Sequence, residues 1–319
     1  MLKSLPYRPQ IDMQQLHAFD ERLRQVPGSW NTIGTSFVHA GAPGVIRLRK
    51  LIEGKRWCDE AGFLEFLDRR HHRLLLRCFL QHEPLSMSEH LPQVPAEPDD
   101  TDTPISEPGW QRTWKVEALL EKMGPEVTRQ RLMQALHFLE LQEYIVAQGP
   151  DEWVSGSLLE HVEQFGPTFA WSVQAHLQQH QALVRRCVGF KEWQTPALND
   201  LDVLAFTKDG LIMTVECKSS QDIPFADLVD FVQRARTFPA DISLLLIDTE
   251  HESLVIEYLQ QINTILNREP LDFGQRHLYE GSVIYHVSGN LYVAHTASGI
   301  APTLEAMLRL ASDLKHEPR

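Results

Sequence analysis

The second half of the chain alternates short apolar runs with amphipathic helical segments. Two of the apolar runs, Leu201–Phe206 and Leu211–Cys217, flank Lys208-Asp209-Gly210, and an Asp-Gly step between two such runs is a strong signal for a β-hairpin. A third run, Ile242–Asp248, is almost continuously apolar, which is typical of a strand buried on both faces. We therefore expect residues 155–319 to form an α/β domain in which helices flank a mixed central sheet.

Other segments of this domain follow the same alternation. Apolar residues at helical spacing predict helices, and short apolar runs bounded by turn residues predict strands. Helices are predicted at Ser157–His180, with an interruption at Gly166-Pro167, and at Phe225–Thr237, Leu254–Leu266 and Thr303–Leu314; strands are predicted at Ala182–Val188, Val283–Val287 and Leu291–His295.

The first half of the chain is divided by a segment rich in proline and acidic residues. Residues 83–110 contain six prolines and seven acidic residues but no Lys or Arg, and such a segment cannot bury enough apolar surface to offset the entropy lost on ordering. We interpret it as a linker. Residues 1–82 are predicted to be a mainly helical N-terminal domain. Residues 111–154 resemble a winged helix, with two helices separated at Gly124-Pro125 and followed by a two-stranded wing.

Composition and charge exclude several classes of protein. Apolar residues make up 43% of the chain and charged residues 23%, as in ordinary globular proteins. No run of about 18 apolar residues is present, and the N-terminus lacks the apolar stretch of a secretory signal, so we expect a cytoplasmic protein with no membrane partner. The net charge of -13 would repel nucleic acid if it were evenly spread, but the linker carries much of it. The four cysteines show no zinc-site spacing and are expected to be reduced.

Three polar residues in the predicted hairpin indicate chemistry. Asp202 lies in the first strand, and Glu216 and Lys218 lie two residues apart in the second, so the last two side chains leave the same face. Charged groups in an otherwise apolar hairpin are costly unless each has a partner. A hard cation held by the two carboxylates would be such a partner, and oxygen-only ligands suit Mg²⁺ or Mn²⁺. Such an ion can polarise a phosphate and activate water, while Lys218 orients that water or stabilises the extra negative charge on phosphorus.

This spacing resembles the PD-(D/E)xK nuclease superfamily, whose core is a helix, a hairpin carrying D…ExK, a helix and a further strand. Within it, the chain resembles the endonuclease domain of the CRISPR ancillary nucleases activated by cyclic tetra-adenylate. The positions that carry the similarity are Gly156-Ser157-Leu158-Leu159-Glu160, Asn199-Asp200-Leu201-Asp202-Val203 and Glu216-Cys217-Lys218. The resemblance implies a restriction-endonuclease-like fold. It also implies that Glu160, Asp202 and Glu216 are metal ligands and that Lys218 is the catalytic lysine.

The function implied by the resemblance is metal-dependent hydrolysis of phosphodiester bonds in DNA, or in RNA, in a prokaryotic defence or mobile-element setting. Nucleases that cut both strands often pair two active sites, so a homodimer is also expected. The nucleases named above begin with a Rossmann-like sensor domain, whereas residues 1–82 show no such pattern. We therefore do not expect a cyclic oligonucleotide to activate this chain.

Several basic or polar residues are candidates for substrate contacts. Arg185 and Arg186 are predicted on the strand before the hairpin, Gln233 on the helix after it, and Arg129 and Arg131 on the second helix of the winged-helix-like unit. A D…ExK pattern also occurs by chance at the solvated edges of hairpins, and many winged helices only pack or dimerise. The alternative hypotheses are a non-catalytic nucleic-acid- or protein-binding regulator built on a nuclease scaffold, and a sensor in which residues 1–82 gate the C-terminal domain.

Overall fold

The computed structural model describes residues 60–80, 113–159, 162, 164–180, 183–191, 198–219, 222–238, 240–268 and 274–316. The predicted linker at 83–110 and most of the predicted helical segment 1–82 lie outside these residues. The helices within them are α1 (Glu60–Asp68), α2 (Arg70–Leu80), α3 (Val116–Met123), α4 (Arg129–Leu141), α5 (Gly166–Gln179), α6 (Phe225–Thr237), α7 (Glu252–Ile265) and α8 (Ile300–His316).

The strands form two sheets. The described strands are β1 (Trp114–Lys115), β2 (Ile145–Gly149), β3 (Glu152–Ser155), β4 (Leu183–Lys191), β5 (Leu198–Phe206), β6 (Ile212–Lys218), β7 (Ile242–Ile247), β8 (Gln275–Tyr279), β9 (Ser282–Ser288) and β10 (Leu291–His295). The larger sheet has the order β4-β5-β6-β7-β10-β9-β8. Its central strands β6, β7 and β10 are parallel and the outer pairs are antiparallel, which confirms the predicted mixed sheet.

Helices cover both faces of this sheet. On one face, Val203, Val215 and Leu246 belong to a large apolar cluster that also contains residues of α5 and α8. On the other face, Leu245 and Val293 pack with the apolar residues of α6 and α7. Alternate residues of each strand therefore face opposite helical layers, as period-two geometry requires, and the predicted α/β class is confirmed.

The predicted hairpin is present. Strands β5 and β6 pair antiparallel, with Phe206 opposite Ile212 and Val203 opposite Val215. The turn between them has Gly210 at φ 80°, a conformation that glycine adopts without steric cost, and the amide of Gly210 donates to the carbonyl of Thr207 at 2.9 Å. The Asp-Gly step therefore predicted correctly that a turn is present and where it lies.

Residues 113–155 form a small unit of two helices and a three-stranded sheet in the order β1-β3-β2. Threonine before a helical stretch predicts an N-cap, and the hydroxyl of Thr128 does accept from the amide of Arg131 in the first turn of α4. The spacing of Trp114 from Leu119 and Met123 predicts a place on the same helical face, but Trp114 lies in β1 opposite Trp153.

The two helices at residues 60–80 pack against both the small unit and the large sheet. The ring of Phe63 lies 5.4 Å from that of Tyr144 and 6.0 Å from that of Trp171, and the Ser155 hydroxyl donates to the Phe79 carbonyl at 2.6 Å. One apolar cluster runs through all three regions. The domain boundaries drawn from the sequence stay a prediction.

Two further elements differ from the sequence prediction. The helix described within the predicted stretch Ser157–His180 begins at Gly166, where the interruption was predicted, because Pro167 has no amide donor and fits the first turn of a helix better than its interior. Strand β8 was not predicted, since its sequence Gln-Arg-His-Leu-Tyr is mostly polar and it lies at the edge of the sheet. Among the described residues, no helix has both the length and the apolar character needed to span a membrane.

Candidate active site

The predicted acidic and basic residues of the hairpin meet at the carboxyl end of β6. Glu216 lies opposite Leu245 of β7, so its side chain leaves the sheet on the face covered by α6 and α7. Cys217 belongs to the cluster on the opposite face. Because residues two apart share a face, Lys218 lies on the same face as Glu216, as the sequence predicted.

Asp202 lies beside Glu216 on the neighbouring strand. The pairing of β5 with β6 ends at Val203 and Val215, and the next positions along the two strands are Asp202 and Glu216. There the Asp202 carboxylate accepts a hydrogen bond from the amide of Cys217 at 2.8 Å. Burial, and then the negative charge of Glu216, raise the pKa of Asp202 to about 6.

Glu216 lies between two cationic side chains. Its Oε1 is 3.2 Å from Nζ of Lys218, and its Oε2 is 2.7 Å from Nη2 of Arg234 on α6. The residue is only 9% exposed, so these contacts compensate a charge that would otherwise be costly to bury. Lys218 Nζ also donates to Asp227 on α6 at 2.7 Å. Burial alone would lower the pKa of Lys218, but its ion pairs with Asp227 and Glu216 outweigh burial and raise it.

Asp227 and Arg234 were not singled out in the sequence. The two residues are seven apart, so they lie on one face of α6, and that face packs on the sheet beside Glu216. The residue predicted to contact substrate from this helix, Gln233, is exposed. A charged pair at seven-residue spacing in the helix after the lysine was the signal that could have identified both residues.

The other predicted site residues are placed as follows. Glu160 lies outside the described residues. Arg185 and Arg186 are on β4, opposite Leu204 and Val203 of β5. Arg129 and Arg131 are exposed on α4.

Arg129 is already neutralised, because its guanidinium contacts Glu117 at 2.8 Å and Asp151 at 2.5 Å. Arg131 forms no ion pair with the residues that the structure describes, so it is the better of these two candidates for contacting an anionic ligand.

A second charged cluster lies at the same edge of the sheet. Asp248 follows β7 and is 1% exposed, and the side chain of Arg73 on α2 is fully buried. Nε and Nη2 of Arg73 donate to Oδ1 of Asp248 at 3.0 and 2.8 Å, Arg77 contacts the other carboxylate oxygen, and the Thr296 hydroxyl donates at 2.7 Å. A basic run on a helix, such as Arg69-Arg70-His71-His72-Arg73, usually predicts a solvated face, but Arg73 is buried. Asp248, whose position after a predicted strand favours capping of the next helix, is not the N-cap of α7, which is His251.

The carboxylates of Asp202 and Glu216 have the chemistry of a site for Mg²⁺ or Mn²⁺. Both offer hard oxygen ligands. Burial and the charge of Glu216 together raise the pKa of Asp202, and a bound cation would oppose both effects by favouring the ionised carboxylate. Within the part of the chain that the structure describes, no cluster of three or more His, Cys, Asp or Glu side chains could hold a metal. The third ligand implied by the resemblance, Glu160, is outside that part.

The raised pKa of Asp202 makes a prediction for the metal-free protein. Its pKa in the folded state, about 6, is above the ordinary value of 3.8, so the folded state holds this proton more tightly and stability falls as pH rises through that window. An Asp202→Asn variant keeps an oxygen that can accept from Cys217. In EDTA we expect it to be more stable than the parent at pH 7, with a difference that shrinks towards pH 4, in urea unfolding at a series of pH values. The exposed Asp230→Asn is the control, and a difference independent of pH would contradict the prediction.

The sequence matches no protein-family model, and no curated protein matches it either.

Proposed function

We propose that the chain is a metal-dependent endonuclease that hydrolyses phosphodiester bonds in DNA or RNA. The observation that carries the proposal is the meeting of Asp202, Glu216 and Lys218 at one end of the β5–β6 hairpin, with Glu216 and Lys218 3.2 Å apart. Two carboxylates can bind a divalent cation, and the ammonium beside them can contact a phosphate that the cation also binds. These are three of the four residues that the resemblance to PD-(D/E)xK nucleases implies; the fourth, Glu160, lies outside the described residues.

The order of elements around the site supports the same proposal. Helix α5 comes first and is followed, after strand β4, by the β5–β6 hairpin, helix α6 and strand β7. The elements of the PD-(D/E)xK core therefore occur in the order of that core. The first turn of α5 also lies close to the site, because a Cβ added to Gly166 would be 3.7 Å from the hydroxyl of Ser219. We propose on these grounds that residues 155–319 have a restriction-endonuclease-like fold.

Each described residue has a role in this proposal. Asp202 and Glu216 would hold Mg²⁺ or Mn²⁺, which supplies a Lewis acid for the phosphate and lowers the pKa of an attacking water. Lys218 orients that water, or donates to the phosphate oxygen on which negative charge develops. Asp227 holds the Lys218 ammonium in position at 2.7 Å. Arg234 neutralises Glu216 at 2.7 Å and would donate to a non-bridging phosphate oxygen of the substrate.

The test is cleavage of plasmid DNA, single-stranded DNA and RNA in Mg²⁺, Mn²⁺ or EDTA. We expect cleavage in at least one metal and none in EDTA. The Glu216→Gln variant should not cleave, and in calorimetry it should bind Mn²⁺ at least about tenfold more weakly, because it loses a charged ligand. Glu257→Gln, an exposed change on α7, is the control and should behave as the parent. A parent that binds no Mn²⁺ and cuts nothing would overturn the proposal.

One observation favours the second candidate, a non-catalytic binding protein on the same scaffold. Both carboxylate oxygens of Glu216 are engaged by cations of the chain itself, so this carboxylate is neutralised without a metal. Nucleic acid that is retarded in a gel but never cut, with equal affinity in EDTA and Mn²⁺, would support this candidate.

A further inference from the structure

A pocket of about 600 Å³ lies between the first two helices and α4, on a different part of the molecule from the β5–β6 site. Its lining includes Arg69 and His71, at the junction of α1 and α2, and Arg131 and Gln134, on the outer face of α4. A cavity of this size is in the range that accommodates small ligands.

The polar part of the lining carries an excess of positive charge. Arg69 and Arg131 are exposed residues. Within the described segments neither forms an ion pair, whereas Arg70 and Arg73 nearby both do. The pKa of His71 is lowered, first by burial and then by the charges of Arg69 and Arg131. Both positive charges are therefore close enough to the His71 ring to raise the electrostatic potential around it, and a positive potential there attracts an anion.

Acidic side chains compensate this charge only in part. Glu65 lines the pocket, and Glu126 lies near enough to His71 to oppose the effect of the arginines on its pKa. Among the residues described, neither carboxylate is ion-paired to Arg69 or Arg131. The N–H donors of both guanidinium groups can therefore bind the oxygens of a ligand carboxylate or phosphate.

The remainder of the lining is aromatic. The ring of Phe66 stacks on that of Phe138 with 4.5 Å between centroids, and on that of His72 with 4.1 Å. Burial lowers the pKa of His72 to about 3, so this ring is neutral at pH 7, and its Nδ1 donates to the Phe66 carbonyl at 2.9 Å. Aromatic rings beside unpaired cations are the combination that binds a base and its phosphate.

We propose that this pocket binds the phosphate and base of a nucleotide, with Arg69, Arg131 and His71 on the phosphate and the ring of Phe138 beside the base. The nucleotide could belong to a nucleic-acid strand or be free in solution, since the chemistry recognised is the same. The inference does not require the chain to be a nuclease.

The test is equilibrium binding in EDTA, where metal-dependent cleavage cannot occur. One arm measures the fluorescence anisotropy of a short labelled single strand, and the other measures calorimetric binding of adenosine monophosphate. We expect Arg69→Gln and Arg131→Gln each to weaken binding about tenfold. For the strand, each should also lower the slope of log affinity against log salt by about 1. Both residues are exposed, so we expect the variants to fold.

The matched control is Arg129→Gln, which removes an exposed arginine of the same helix whose charge is already paired. It should leave the affinity unchanged. Binding of the strand alone identifies a nucleic-acid site, and binding of the monophosphate identifies a nucleotide site. Failure of the parent to bind either probe, or equal weakening by all three variants, would overturn the proposal.

Discussion

The Asp248→Asn variant is expected to lose about 3–5 kcal/mol of folding stability, the usual cost of leaving a buried charge without its partner. The change keeps the size of the side chain and an oxygen that can accept from Thr296. It removes the negative charge that faces Arg73 and Arg77, so two buried or nearly buried guanidinium groups remain uncompensated. Urea unfolding at pH 7 measures the loss as a lower midpoint with an unchanged slope.

The difference in folding stability between the parent and Asp248→Asn should depend on pH. Arg73 and Arg77 outweigh the effect of burial and hold the pKa of Asp248 below its ordinary value of 3.8. A lowered pKa contributes stability that is present above the unfolded value and is lost as pH falls through the folded value. The gap between parent and Asp248→Asn should therefore close below pH 4. Equal stability of the two proteins at pH 7 would show that the ion pairs of Asp248 with Arg73 and Arg77 contribute nothing to folding stability. Asp230→Asn, exposed on α6, should leave the midpoint unchanged.

This ion-pair network also connects the first helices to the candidate site. Arg73 and Arg77 belong to α2, and Asp248 follows β7, with an amide that donates to the carbonyl of Lys218 at 2.9 Å. Thr296, at the end of the adjacent parallel strand β10, completes the cluster. Helix α2 is therefore fixed to the edge of the sheet where Glu216 and Lys218 lie. His72, the residue before Arg73 in the same helix, lines the pocket proposed for a nucleotide.

The sequence predicted the parts of the fold that depend on local signals. The Asp-Gly turn and the apolar run of β7 are each encoded within about ten residues, so the hairpin and the buried strand were placed correctly. The shared face of Glu216 and Lys218 follows from strand periodicity alone. The proximity of Asp202 to Glu216 follows from the register that the turn imposes.

Contacts between distant segments could not be predicted in this way. Arg73 and Asp248 are 175 residues apart, and nothing in the run Arg69-Arg70-His71-His72-Arg73 distinguishes a buried arginine from a solvated one. Burial of Arg73 depends on how α2 docks against the sheet, which is decided by the apolar face of the helix. Asp227 and Arg234 are an intermediate case, because their spacing was visible although their partners on β6 were not.

Among variants that keep both candidate metal ligands, the largest effect on activity is expected from Lys218→Ala, which should lower kcat by about 10²–10³, the usual effect of removing one donor that stabilises developing charge. The ammonium is held by Glu216 and Asp227, so it can act on a phosphate or a water without reorganising. Single-turnover cleavage with saturating Mn²⁺ measures the chemical step. We expect little change in substrate affinity, because the contact strengthens mainly in the transition state.

Two variants separate this role from a structural one. Lys208→Ala removes an exposed lysine from the turn of the same hairpin and should keep full activity. Asp227→Asn keeps the lysine but weakens the ion pair that positions it, so its rate should lie between those of the parent and Lys218→Ala.

If Lys218→Ala cuts as fast as the parent, the ammonium only balances the charge of Glu216. A loss of stability in Lys218→Ala that parallels the loss of rate would likewise give the residue a structural role. An unchanged unfolding midpoint with a rate lowered at least about a hundredfold is the result that identifies Lys218 as a catalytic residue, because charge compensation alone would not act on the chemical step.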